Sequence, residues 1–148
     1  MRRVWRPCTI GGMQIHAYLS FKGDCEAAFT AYARCLGGQI GELHRYGGSP
    51  MSGDVPPDWA DKIMHGSVTV AGHTLMGADM AAPQYEAPQG FSVSLHLASA
   101  AEAERVFGEL SNGGKVIMPL AKTFWAERFG VFVDRFGIPW TINCEGAP

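Results

Sequence analysis

Three side chains with the right donor atoms for a divalent metal stand far apart in the chain: His16, His65 and Glu127. Imidazole nitrogen and carboxylate oxygen suit zinc, nickel, manganese or iron, and a fold that gathered the three could use such an ion as a Lewis acid. Glu127 stands between Trp125 and Phe129, which share its parity on an extended strand. A carboxylate buried between aromatic rings is the setting in which a general base is tuned, so Glu127 is also the candidate for proton transfer. His96 alternates with Ser92 and Ser94, which puts all three on one strand face. Tyr18, Met76 and Trp125, together with Trp59 and Trp140, offer aromatic and thioether surface for an apolar pocket, although core packing accounts for such residues equally well. Asp79, closing "LMGAD", reads as a turn or edge residue.

The elements that must position these groups repeat. Residues 14–21, "QIHAYLSF", alternate as a strand with Ile15, Leu19 and Phe21 on one parity. A helix follows from Asp24, a candidate N-cap, with Ala28, Phe29, Tyr32 and Leu36 as its apolar stripe and Gly37-Gly38 as its stop. "QIGELHRY", "KIMHGSVTVAG" and "HTLMGAD" supply three more strands. The second pass opens with "FSVSLHLA", continues with a helix from Ala100 that ends at Gly113-Gly114, and closes with "KVIMPL", "FWAERFGVFVD" and "IPWTINCE". The spacing predicts two βαβββ units, about 13–80 and 90–146, within one unit of structure spanning 13–148.

Internal distances agree with a repeat. His16 precedes Gly37 by 21 residues, and Ser92 precedes Gly113 by 21. Met76 follows Gly72 by four, as Thr141 follows Gly137. His16 with Ser92 and Met76 with Thr141 are therefore repeat-equivalent pairs, and the strand period of two lets them converge on one cleft. Regularity breaks at residues 46–62, a 17-residue loop with three glycines and three prolines, which reads as a lid, a dimer contact or a surface excursion.

Composition narrows the function classes. With 148 residues, 47% hydrophobic and 18% charged, the chain can build one ordinary core. Its 12 basic and 14 acidic side chains are scattered, so no nucleic-acid footprint is expected. No apolar run reaches the roughly 18 residues of a membrane span, and residues 1–12 lack the apolar stretch of a secretion signal, so a cytoplasmic protein with a loose N-terminal extension and no membrane partner is expected. Cys8, Cys25, Cys35 and Cys144 form no Cys-x-x-Cys pair and read as reduced structural thiols.

The stretches "YLSFKGDCEAAFTAYARCLGG", "IMHGSVTVAGHTLMGAD" and "SLHLASAAEAERVFGELSNGGKVIMPLAKTFWAERFGVFVDRFGIPWTIN" resemble the vicinal-oxygen-chelate superfamily, and within it the PhnB-like branch related to glyoxalase and bleomycin-resistance proteins. The resemblance implies an α+β fold of paired βαβββ modules forming half-barrels, a homodimer, and a small-molecule cleft in each half-barrel. In metal-using members the first and last strands of each unit supply His, Gln or Glu ligands. Here the corresponding positions resemble His16, Met76, Ser92 and Thr141, of which His16 alone is a competent ligand. The inherited site reads as dismantled, while the rearranged set of His16, His65 and Glu127 keeps a divalent metal open. Two functions follow: a metal-dependent lyase, isomerase or dioxygenase with that set, or a metal-free binding protein of the bleomycin-resistance type whose ligand meets Tyr18, Met76, Ser92, His96, Trp125 and Thr141. Relatives in this branch are often labelled as ubiquinone-biosynthesis methyltransferases, but no glycine-rich turn followed by an acidic residue offers a nucleotide-type cofactor site.

Overall fold

The computed structural model describes residues 11–146. The first pass comprises β1 (Ala17–Phe21), α1 (Cys25–Leu36), β2 (Gln39–Arg45), β3 (Ile63–Val70) and β4 (His73–Asp79). The second comprises β5 (Val93–His96), α2 (Ala100–Ser111), β6 (Lys115–Ala121), β7 (Arg128–Val133) and β8 (Pro139–Cys144). Each pass forms its own four-stranded sheet, in the orders β1-β4-β3-β2 and β5-β8-β7-β6. In both sheets the first strand lies parallel to the last and the remaining pairs are antiparallel. This is the α+β arrangement of paired βαβββ modules that the repeat predicts, and the registers agree: Tyr18 sits opposite Met76 where Ser94 sits opposite Thr141.

Three local expectations need correction. β1 begins at Ala17 rather than residue 14, because its ladder with β4 starts at the Ala17–Leu75 pair, which leaves His16 just outside the strand. β7 begins at Arg128 rather than residue 124, because Thr123 closes a turn on Ala126: Thr123 N–H donates to the Ala126 carbonyl (3.0 Å) and Ala126 N–H to Thr123 Oγ1 (3.1 Å). Asp24 occupies the N-cap position of α1 without making a side-chain cap. Asp79 does that work instead. It is buried at 1% exposure, and its carboxylate accepts Gly23 N–H (3.1 Å), Cys25 N–H (2.9 Å) and Ile63 N–H (2.8 Å). A carboxylate beside the positive end of α1 satisfies amides that the helix leaves unpaired. α2 follows the ordinary rule, with Ser99 Oγ accepting Glu102 N–H at 3.2 Å.

Both helices pack on one side of the sheets. Ala28, Phe29 and Tyr32 of α1 meet Leu19, Phe21, Ile63 and Val68, and Ala103, Val106 and Leu110 of α2 meet Phe132, Trp140 and Ile142, all in one cluster. The units are also joined by hydrogen bonds. Tyr32 O–H donates to Asp134 in the β7–β8 hairpin, while Trp140 Nε1–H (2.8 Å), Phe136 N–H and Ile138 N–H (each 2.9 Å) donate to the same carboxylate. The Tyr32 ring packs edge-on against Trp140, centroids 5.1 Å apart. Trp140 is fully buried and so belongs to the core rather than to a pocket, and Trp59 packs edge-on against Tyr46.

The loop at 46–62 carries two short 3-10 turns, Ser52–Asp54 and Pro57–Trp59. It is anchored by Gly47 N–H to the Ala60 carbonyl (2.9 Å) and by Tyr46 O–H to the Asp79 carbonyl (2.7 Å). Apart from Gly11 and Gly12, the expected N-terminal extension lies outside the described residues, as does Cys8. Among the described residues no helix is long and apolar enough to cross a membrane.

Candidate functional site: two open sheet faces

With the helices on one side, the opposite face of each sheet is open, and strand alternation decides what it presents. The first face carries Tyr18, Met76, Ser67, His65 and His44. Tyr18 O–H and His65 Nδ1 are hydrogen-bonded at 3.0 Å. The His65 ring is stacked with Tyr18 (centroids 5.7 Å) and with His44 (6.2 Å), its neighbour across the β2–β3 ladder. His44 Nε2 in turn lies 3.4 Å from Glu42 Oε2. Tyr18 remains half in solvent at 54%, and burial of the rest of its ring, with a small contribution from the neighbouring Cys25, raises its phenol above the ordinary range. Beside Tyr18 and Ser20 a cavity of about 690 Å³ opens against Glu86, Pro88 and Phe91 of the segment joining the units.

The second face carries Ser92, Ser94, His96, Thr141 and Asn143. Ser92 Oγ and Thr141 Oγ1 hydrogen-bond to one another at 2.7 Å. His96 lies between Ser94 Oγ, 3.3 Å from its Nε2, and Asn143 Nδ2, 3.2 Å from its Nδ1. Trp125, half exposed, packs its ring on Phe129 with centroids 5.3 Å apart. Glu127 is half-buried beside the chain's last described turn, where a Cβ on Gly146 would come within 2.5 Å of Glu127 Oε2. Its neighbour Arg128 points to the other side and pairs with Glu104 at 3.1 Å.

This geometry tests the two metal sets by donor chemistry. At the positions that the resemblance implies, Ser92 and Thr141 are hydroxyls that satisfy each other, Met76 is a thioether, and His16 Nε2 is engaged by Gln14 Oε1 at 3.1 Å. The expected alternative of His16, His65 and Glu127 is not assembled. Among the described residues no three His, Cys, Asp or Glu side chains form a group that could hold a metal ion. The physical reason is placement: His65 is turned to Tyr18 on β3, His16 precedes β1, and Glu127 belongs to the turn before β7 in the other unit. Among the described residues, neither set as placed here offers a divalent metal three competent donors.

The structure brings Ser92 to Thr141 and Tyr18 to His65. It also adds His44, Ser94 and Asn143, which sequence reading did not single out as site residues. Asn143 was recoverable, since β5 and β8 run parallel and a shift of two from the Ser94–Thr141 pair reaches His96–Asn143. His44 was not, because register shifts in the β2–β3 ladder set its side.

Two open four-stranded half-barrels, each backed by a helix, are the fold of the glyoxalase-like vicinal-oxygen-chelate superfamily. Residues 13–143 match the family described as 3-demethylubiquinone-9 3-methyltransferase, and the chain belongs to that family, the PhnB-like branch of the superfamily. It is similar to Protein YjdN of Escherichia coli (strain K12), with 35% identity over 88% of this chain and 95% of that protein. The solved structure of protein PA1353 from Pseudomonas aeruginosa is 47% identical and covers 92% of this chain and 100% of its own, with a TM-score of 0.83. A Bacillus cereus structure described as a putative 3-demethylubiquinone-9 3-methyltransferase, PhnB protein, has a TM-score of 0.77 over 89% of this chain and 99% of its own; at 22% identity it shares the fold.

Proposed function

We propose that the chain is a small-molecule-binding protein that takes a planar or apolar compound on its open sheet faces without a metal. The observation that carries this reading is the Ser92–Thr141 hydrogen bond of 2.7 Å, which turns two inherited ligand positions into a self-satisfied hydroxyl pair. The faces offer apolar surface: Tyr18, Phe91 and Trp125 are each about half exposed. β6 is an edge strand that leaves Val116, Ile117 and Met118 exposed, and an apolar edge of that kind is normally covered. The reading therefore includes a homodimer, in which a second copy covers part of these faces, working in the cytoplasm with its thiols reduced.

The methyl transfer in the family's description is not part of the proposal. A glycine-rich strand-to-helix turn with free amides is one common cradle for a nucleotide-type cofactor, and at β1–α1 the amides of Gly23 and Cys25 are held by Asp79. At the β5–α2 turn, Ser99 caps the helix and residues 97–99 include no glycine, so neither turn has that form.

The test has three parts on the untagged full chain. Elemental mass spectrometry should find well under one divalent ion per chain, before and after incubation with zinc, nickel, manganese or iron. Titration with a panel of planar compounds should give binding that chelator does not alter and that Tyr18→Ala or Trp125→Ala weakens. Sedimentation at micromolar concentration should give twice the chain mass. One metal ion per chain, lost in His16→Ala, would overturn the reading.

A further inference from the structure

Two cavities adjoin at one end of the second face. One, of about 350 Å³, is lined by His96, Asn143, Glu145 and Gly146. The other, of about 340 Å³, is lined by Lys122, Phe124, Trp125, Glu127, Glu145 and Gly146. Neither uses the Ser92–Thr141 pair.

Two independent features give this corner a chemical preference. Asn143 is only 7% exposed, and while its Nδ2 meets His96, its Oδ1 has no hydrogen-bond partner. That oxygen is closed to solvent as the side chain stands, and a buried acceptor without a donor is a standing cost that a ligand N–H would remove once the amide turns toward it. The second feature is charge beside aromatic surface. Among the described residues Glu127 and Glu145 stand in no ion pair, whereas Glu26, Glu102, Glu104 and Glu109 each have an arginine. Next to them Phe124 is 97% exposed and Trp125 50% exposed, rings edge to face at 4.7 Å. Carboxylates flanking aromatic rings attract cations both by charge and by the ring quadrupole. Lys122, also in the lining, offsets one of the two negative charges, so the balance remains negative by one.

We infer that this corner recognises an organic cation, an amidinium or ammonium group borne on a flat apolar body. The body lies against Trp125 and Phe124, the charged head faces Glu127 and Glu145, and the Asn143 amide turns toward the cavity so that its Oδ1 accepts a ligand N–H. The inference deepens the binding reading above and rests on it.

The probe is benzamidinium, compared with benzamide, a neutral molecule of nearly the same shape, in calorimetric titrations of the full chain at low and high salt. Benzamidinium should bind at least about tenfold more tightly than benzamide, and raised salt should narrow the gap. Glu127→Gln combined with Glu145→Gln should remove most of that preference, and Lys122→Ala should increase it. Both changes are at solvent-accessible positions, and an unaltered circular dichroism spectrum checks the fold. Equal affinity for the two probes, or a preference that survives loss of both carboxylates, would overturn the cation inference and leave the binding reading standing. If the planar panel fails as well, both fall.

Discussion

Asp79→Ala should cost the protein much of its stability. The carboxylate accepts three backbone amides at 3.1, 2.9 and 2.8 Å while only 1% exposed, and the amides belong to the entry of α1 and the start of β3. Hydrogen bonds to a charged group contribute roughly 1.5–3 kcal/mol each. Three of them sum to more than the variant will lose, because water enters and the turn relaxes, so a net cost of about 4 kcal/mol is expected. Against a usual total of roughly 5–15 kcal/mol this is severe. With a urea dependence of about 2 kcal/mol per molar, the midpoint should fall by about 2 M. Asp79→Asn should fall between the two, since its oxygen can still accept Gly23 and Cys25 while its NH₂ opposes the Ile63 N–H. Equilibrium urea unfolding followed by tryptophan fluorescence, which reports buried Trp140, is the assay. Losses under about 1 kcal/mol in both variants would refute the role given to this carboxylate.

Three other outcomes are expected. Tyr32→Phe deletes one of four donors to buried Asp134 and should cost about 1.5–3 kcal/mol by the same assay; a neutral result would show that the link between units carries no stability. Gly77→Ala would place a Cβ 2.7 Å from the Leu19 carbonyl in the β1–β4 ladder, and a loss of about 1–3 kcal/mol in denaturant unfolding should follow; an unchanged midpoint would refute that close approach. Burial, with the neighbouring Glu109, pushes the Cys35 thiol up to about 12, and burial also raises Cys25. Unfolded thiols titrate near 9 and would release protons first, so stability should decline as pH rises above about 9. Neither thiol should react with a disulfide reagent in the folded protein at pH 8, and rapid labelling of the native state, mapped by mass spectrometry, would contradict this.

Strand parity and helix stripes carried most of the fold in the sequence. Leu19, Phe21, Ala28, Phe29 and Tyr32 are buried where alternation and helical periodicity place them, and the equal spacing of the two units anticipates the matched pairs Tyr18–Met76 and Ser94–Thr141. The repeat failed where pairing, rather than periodicity, ends a strand. Ile15 has the parity of the core yet is 87% exposed, because it precedes the ladder. Asp79 looked like an edge residue because nothing local marks it; its partners Gly23 and Cys25 lie more than fifty residues away. The site was legible as donor chemistry, in that a thioether and two hydroxyls make poor ligands. The association of Tyr18, His65 and His44 was not, since it depends on a strand order and a register shift that no spacing reveals.

The bond from Tyr32 to Asp134 spans 102 residues of chain. It bears on how the protein is made as well as on how it holds together. A ribosome adding roughly 5–20 residues per second would release the first sheet and its helix several seconds before the hairpin that completes their core. During that interval Tyr32 lacks Asp134, Phe136 and Trp140, its partners in the second unit, while the rest of the α1 stripe already has its own sheet to pack on. The repeated unit gives the chain two faces, and it also leaves one buried tyrosine of the first half waiting for the second.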